Sequence, residues 1–586
     1  MHCFAVWAPT ASSVDLDLTT PDGSRTVPME RSESGWWRSA GLTPQHGWDY
    51  AYRVDGGDPT PDPRSSWLPA GVDGPSRVFD ASRYAWQDAG WRGPRDGQGT
   101  LGGVIYEMHV GTFTPEGTLD AAIGRLDELV DVGVDVVELL PLAAFPGRHG
   151  WGYDGVQPYA VHEPYGGPEA LQRFVDACHA RGLGVCLDVV YNHLGPSGNY
   201  LSRFGPYFTD KHSTPWGQAV NLDDEGSSVV RRWVIDNALR WFRDFHIDAL
   251  RLDAVHELKD DSPTHVLAQL ADERAALSDA LGRRLTLIAE SDLNDPRMVE
   301  PTSEHGLGMS AQWDDDVHHA LHATLTGERQ GYYADFGSLP ALAKTLTRVF
   351  LHDGIWSSFR GKEWGAPVDP ERHDGRRFLG YLQTHDQVGN RATGERISAL
   401  LDPAQQATGA ALYLLSAFTP MIFMGEEWAA STPWQYFTDF SDKALGEAVS
   451  NGRRSEFAEH GWDAEDVPDP QDHATRDRSV LSWSEREHNG HARMLAWYRD
   501  LIALRRRVPE LTDGRLDAVE VSHDEAAGWL VMAHGDLRVA CNLAEKGQTV
   551  PVDGSAKVEL AWDEAATSVV DGGVALPGHG VAVLTS

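Results

Sequence analysis

Three carboxylates in this chain follow three separate apolar, strand-like runs: Asp253 after ALRL, Glu290 after LTLIA and Asp386 after FLGYLQTH. Carboxylates that converge on one pocket repel, so one is held protonated while a neighbour stays ionised. A general acid beside an ionised nucleophile has that requirement. Glycoside hydrolysis uses such a pair, and the gap between the two groups sets the stereochemical outcome. Arg251 stands two residues before Asp253. On a strand that spacing puts both on one face, with Leu250, Leu252 and Ala254 on the other. An arginine and an aspartate on an otherwise apolar strand must pair with each other or meet a ligand. A structural ion pair would satisfy the same rule. The other polar residues that close such runs are His109, Asp188, Asn192, His193 and His385.

Residues at several strand ends act together only if the strands are parallel and share one mouth. The central sequence alternates apolar strands with amphipathic helices: VIYEMH, VDVVELLPL, GVCLDVVYN, ALRLDAV, LTLIAES, MSAQW, FLGYLQTHD and MIFMGEE are the strands. Eight near-continuous apolar strands separated by helices predict an α/β fold, a closed (β/α)8 TIM barrel with its chemistry at the C-terminal strand ends. TLDAAIGRLDELVDVGV is predicted as one helix capped by Thr118 and stopped at Gly133. Residues 1–90 carry short alternating runs split by Pro, Gly and Ser and predict an N-terminal β-sandwich. The Gly-rich segment DAGWRGPRDGQGTLGG reads as a linker, which places the barrel at 100–510. Short strands return over 512–586 as a C-terminal all-β domain.

Composition narrows the function. Fifty Lys and Arg against 87 Asp and Glu give a net charge of −37. Such a surface repels nucleic acid and anionic lipid, so neither is expected as a partner. Four scattered cysteines make neither a disulfide framework nor a zinc site, and Cys178 and Cys186 read as small core residues. MHCFAVWAPTASS shows no basic n-region or long apolar run, so no secretory signal is expected and a cytoplasmic location is. Most of the 21 Trp residues are expected in cores. Trp216, Trp428 and Trp434 are the candidates for sugar platforms near the mouth.

DVVYNH (188–193), DALRLDAVH (248–256), AES (289–291) and THDQVGN (384–390) resemble, in the same order, the four signature regions of the α-amylase family of glycoside hydrolases. Within that family the likeness is to the trehalohydrolase group, through VIYEMHVGTFTPEGT, WGYDGVQPYAVHEPYGG, FMGEEW and STPWQYFTDF. The resemblance implies cleavage of the α-1,4 bond beside the trehalose end of a maltooligosyltrehalose, releasing trehalose and a maltooligosaccharide. It also implies functional pairing with a maltooligosyltrehalose synthase in trehalose biosynthesis. By motif position Asp253 is implied as nucleophile, Glu290 as acid and base, and Asp386 as a binder of sugar hydroxyls that helps distort the ring. Arg251 would hold Asp253 ionised, Tyr153 would stack under the sugar, and His193 and His385 would bond its hydroxyls, with Asp188 supporting Arg251. The two reacting carboxyls are expected about 5–5.5 Å apart, the retaining geometry. Many α-amylases carry Lys-His three and four residues past the nucleophile. His256 and Glu257 stand there in this chain, which implies a different leaving-group subsite with His256 in it. Residues 194–228 lack the acidic cluster of calcium-dependent amylases, so no metal and no cofactor are expected. Two alternatives are a glycogen branching or other α-glucan enzyme, and a non-catalytic glucan-binding relative. The second predicts loss of a carboxylate, and all three are present.

Overall fold

The computed structural model describes residues 3–459, 466–552 and 556–585. Eight strands close into a barrel: β1 (Ile105–Met108), β2 (Val136–Leu139), β3 (Gly184–Val189), β4 (Ala249–Leu252), β5 (Thr286–Ala289), β6 (Ala311–Trp313), β7 (Phe378–Gly380) and β8 (Thr419–Phe423). Every neighbouring pair is parallel, and β8 pairs with β1 to complete the ring. Each strand is buried along its whole length, which is why all eight read as apolar runs rather than alternating ones.

The interior is layered. Ile105, Val136, Cys186, Ala249, Ile288, Ala311, Leu379 and Met421 pack together inside the ring. Because a strand repeats every two residues, the next inward positions are Glu107, Glu138, Asp188, Arg251, Glu290, Trp313 and Tyr381. An apolar floor therefore carries a polar layer facing the C-terminal mouth, and the strand period alone dictates that change. The helices Gly167–His179, Ser227–Asp244 and Val266–Leu281 connect successive barrel strands. Thr118 does cap a helix, accepting from the Ala121 N–H at 3.2 Å. The expected single helix is instead two, Leu119–Ile123 and Leu126–Val132, broken at Gly124. Gly133 closes the second in the left-handed region at φ 101°.

Before the barrel, a four-stranded and a three-stranded antiparallel sheet form from residues 5–77. After it, five-stranded and three-stranded antiparallel sheets form from residues 519–585. The segment expected as a linker is anchored to the barrel base. Trp91 Nε1 donates to Asp248 Oδ1 at 2.8 Å, just before β4. His179 donates to Asp248 Oδ2 at 3.0 Å and to Asp88 Oδ2 at 2.8 Å, and Arg283 adds 3.2 Å to Asp248. Trp91 stacks on His179 with centroids 4.3 Å apart.

Burial opposes charge on His179, but its bonds to Asp248 and Asp88 outweigh that and raise its pKa. Burial likewise opposes charge on Asp88 and Asp248, yet their bonds to histidine lower both. The imidazolium's share of stability is thus complete below about pH 6.5 and fades as pH rises through the higher folded value. The carboxylates' share is complete above about pH 3.9 and fades in acid. Replacing His179 with Ala leaves Asp248 charged and buried, and the expected cost is about 3–5 kcal/mol in denaturant unfolding at pH 6. A loss under about 1 kcal/mol would show that the cluster does not hold the segment to the base.

Candidate active site

At the mouth, one guanidinium organises the carboxylates. Arg251, at the inner face of β4, donates through Nη1 to Asp188 Oδ2 at 2.8 Å and to Asp253 Oδ1 at 2.9 Å. Its Nη2 lies 3.5 Å from Glu290 Oε2. The guanidinium also lies over the Trp313 ring, 4.3 Å from the centroid. Asp188 and Arg251 sit opposite each other in the β3–β4 register, so the pairing follows from strand alignment. Asp253 continues the ladder beyond β4, its N–H reaching Val189 O at 3.1 Å. Asn192 Nδ2 donates to the second Asp253 oxygen at 2.8 Å and to its backbone carbonyl at 2.7 Å.

Immediately after Asp253 the backbone turns through Ala254, at φ 37°. A non-glycine residue there costs roughly 1–2 kcal/mol. The turn aims the Ala254 N–H at Glu290 Oε2, 2.5 Å away. Burial, opposed by Arg251 and reinforced by the charge of Asp253, pushes the Glu290 pKa up to about 8. Glu290 is therefore protonated at neutral pH beside an aspartate held by a cation and an amide. The unequal pair needed for acid and nucleophile chemistry is present.

The eight residues expected to be catalytic or to bind sugar line one cavity of about 570 Å3: Asp253, Glu290, Asp386, Tyr153, His193, Arg251, His256 and His385. Asp386 sits in the first turn of the helix His385–Gly389, fixed by a Thr384–Gln387 capping box, and accepts from Asn390 Nδ2 at 2.8 Å. The Tyr153 hydroxyl lies 2.7 Å from Asp188 Oδ2 and 2.8 Å from His385 Nε2, and the two rings stack. Both nitrogens of His193 are engaged by protein oxygens, Asn192 Oδ1 at 2.5 Å and Tyr153 O at 3.0 Å. His193 presents its ring face to Trp216 instead, with centroids 4.2 Å apart. His256 Nε2 lies 3.8 Å from Asp292.

Of the tryptophans proposed as sugar platforms, only Trp216 qualifies. It lines the cavity and is 51% exposed, at the turn of the hairpin Phe208–Thr214/Gly217–Val220. Trp428 and Trp434 are fully buried and belong to the core. Sequence reasoning missed Asp315, a further cavity carboxylate that accepts from Tyr381 at 2.7 Å, with a pKa raised by burial to about 6. It also gave Asn192 no part in holding Asp253. The signal for Asp315 was the WDDD run, in which nothing marks the middle residue from its neighbours.

Among the described residues one group has metal-ligand spacing, His212, Asp223 and Asp261. The Lys211 ammonium and His212 already share one Asp223 oxygen, at 2.7 and 2.9 Å. That donor set fits an ion-pair cluster better than a cation cradle, since a metal would face the ammonium at contact range.

Residues 79–217 match the alpha amylase catalytic domain, residues 2–69 match carbohydrate-binding module 48 (isoamylase N-terminal domain), and residues 514–583 match a domain of unknown function, DUF3459. With the closed barrel and its carboxylate mouth, these matches define an α-amylase-type glycoside hydrolase. A malto-oligosyltrehalose trehalohydrolase of Arthrobacter ramosus is 55% identical over 99% of each chain. That of Mycobacterium tuberculosis is 50% identical over 99% of this chain and 98% of its own. The crystal structure of a putative alpha amylase from Salmonella typhimurium superposes with a TM-score of 0.89 at 36% identity, covering 100% of this chain and 97% of that one. The chain belongs to the malto-oligosyltrehalose trehalohydrolase family.

The Arg251 contacts give a direct test. A lysine ammonium cannot span Asp188, Asp253 and Glu290 as a planar fork does. Arg251→Lys should lower kcat on the order of 10²-fold through misplacement of the carboxylates, with a smaller change in KM. Steady-state kinetics with kcat unchanged would show that the fork is not what aligns them.

Proposed function

We propose that this protein is a retaining hydrolase of maltooligosyltrehaloses, cutting the α-1,4-glucosidic bond next to the trehalose end. The observation that carries the chemistry is the pair on one guanidinium: Asp253 held by Arg251 and Asn192, and Glu290 raised to about 8 on the far nitrogen. Membership of the trehalohydrolase family supports the substrate.

In the first step Asp253 attacks the anomeric carbon of the glucosyl unit. Glu290 gives its proton to the departing glycosidic oxygen, and trehalose leaves as the alcohol. The glycosyl-aspartate ester stays behind. Glu290, now a carboxylate, takes a proton from water, whose oxygen displaces Asp253 and frees the maltooligosaccharide with its original anomeric configuration. Arg251 and the Asn192 amide hold the two Asp253 oxygens in place when the residue is free. Asp386 would accept from sugar hydroxyls and favour the flattened ring of the oxocarbenium-like transition state, while Tyr153 would stack beneath it. His193, His256 and His385 line the same cavity; the ring nitrogens of His193 and His385 are taken by protein groups, so His256 would be the imidazole that meets sugar hydroxyls. The substrate implies a synthase that builds the trehalose end, acting in the same compartment, which we take to be the cytoplasm. No helix among the described residues is long and apolar enough to cross a membrane.

Because Glu290 works as an acid only while protonated, hydrolysis should fall as pH rises through about 8. Glu290→Gln should reduce kcat by about 10²–10⁴-fold with substrate binding largely kept, and should remove that basic limb. Chromatography of products from maltotriosyltrehalose should show free trehalose and maltotriose. New α-1,6 branches on amylose, with no trehalose released, would instead make it a branching enzyme.

A further inference from the structure

Below the mouth, β1 supplies a carboxylate that the proposed chemistry leaves unused. Glu107 is buried, and both its oxygens point at one residue. Oε2 accepts from the His385 backbone N–H at 2.9 Å, and Oε1 lies 2.5 Å from His385 Nδ1. The same imidazole meets the Tyr153 hydroxyl through Nε2 at 2.8 Å, and that hydroxyl lies 2.7 Å from Asp188. Asp188 and Asp253 share Arg251 Nη1. An unbroken line of polar contacts therefore runs from Glu107 through His385, Tyr153, Asp188 and Arg251 to Asp253. The neighbouring carboxyl in the same register, Glu138, has an oxygen with no hydrogen-bond partner among the described residues. Two acids lie side by side, and only Glu107 is turned on the histidine.

The donors along this line are fixed by counting protons. Tyr153 has one hydroxyl proton, and the carboxylate oxygen of Asp188 takes it. The hydroxyl oxygen must then accept, so His385 Nε2 carries hydrogen. Nδ1 faces a carboxylate oxygen and carries hydrogen as well. A ring with both nitrogens protonated is an imidazolium. We propose that Glu107 is a positioning residue: it holds His385 as a cation, with Nε2–H aimed through Tyr153 into the contacts that align Asp253.

Burial disfavours that cation, and the Glu107 and Asp386 charges outweigh it, so the His385 pKa is raised. Arg251 works against them. His109, beyond β1, is held neutral by burial with a smaller push from His385, and the Trp151 and Trp313 rings meet the imidazole edge-on. Asp188, with a pKa pushed up to about 6 by burial, is still ionised at neutral pH and able to take the tyrosine proton. The cation thus sits among Glu107, Asp188 and Asp386, offsetting their mutual repulsion and presenting a charge-assisted donor beside the cavity.

This inference rests on the hydrolase reading, because it gives His385 a place in that site. Glu107→Gln tests it with little change of shape. An amide has one acceptor where the carboxylate has two, so the backbone N–H keeps the oxygen and Nδ1 must face an NH2. His385 should then shed its Nδ1 proton. Nitrogen-15 NMR of histidine-labelled full-length protein, with the His385 signals identified by their loss in His385→Gln, should show an imidazolium at neutral pH in the wild type. In Glu107→Gln it should show a neutral ring protonated on Nε2. The kcat/KM for maltotriosyltrehalose should fall on the order of 10²-fold, mostly in kcat. A neutral His385 in the folded wild type overturns the proposal, and that arm needs no variant to fold. An unchanged imidazolium signal in Glu107→Gln, or kcat/KM within a factor of a few of wild type, overturns it too. If the wild type releases no trehalose from this substrate, the functional reading fails separately, and the NMR arm still decides what Glu107 does.

Discussion

A single buried guanidinium is the constraint on which this molecule turns. Arg251 is removed from water and touches carboxyl groups from three strands of the ring, those of Asp188, Asp253 and Glu290. A buried cation without partners would cost several kcal/mol, and so would any of the three carboxylates alone. Held together, they balance unequally. Asp188 and Asp253 lie within 3 Å of one nitrogen, while Glu290 sits farther out and keeps its proton. Burial raises the Glu290 pKa, and at 3.5 Å Arg251 offsets that rise only in part, so the proton stays where the proposed chemistry needs it.

The barrel makes that arrangement possible by stacking layers with opposite character. Its floor is aliphatic, and the positions two residues farther along the same strands are Glu107, Glu138, Asp188, Arg251 and Glu290. So many ionisable groups in one buried layer are affordable only in combination, and the hydrogen bonds show the combinations: Asp188 with Arg251 and Tyr153, Glu107 with His385, Glu290 with Ala254 N–H. The strained turn at Ala254 belongs to the same economy, since it delivers the amide that meets Glu290. At the opposite end of the ring, Asp248, His179, Asp88 and Trp91 seal the base with a second ionic cluster. One strand, β4, therefore runs from a structural ion cluster at its foot to Asp253 at its head.

Much of this was legible because a strand's period of two is a hard rule. All eight barrel strands were placed from their apolar runs, MSAQW the weakest of them, and Asp253, Glu290 and Asp386, which close three of them, line one cavity. What stayed hidden depended on facts outside any one strand. Glu107 follows Ile105 by two and so points inward, but only the fold brings His385 from β7 onto it. In the WDDD run, Asp314 caps a helix, Asp316 accepts from the backbone at Leu351 and His352, and Asp315 alone reaches the cavity. Trp428 and Trp434 follow β8 in sequence but are buried in the core, a distinction that periodicity does not encode. The helix after β1 divides at Gly124, although its apolar spacing continues through the break.

The central claim is that the aspartate bound to Arg251 becomes covalently joined to sugar while Glu290 supplies the proton. It is tested most directly by trapping that ester. A fluorinated maltosyl fluoride slows both steps but provides a leaving group that needs no acid, so the glycosyl-enzyme accumulates. Peptide mass spectrometry after digestion should then find one added fluoromaltosyl group on the peptide containing Asp253, and on that residue within it. A label on Glu290, on Asp386 or on any other side chain would contradict the account, as would turnover with no covalent adduct and an inverted anomeric centre.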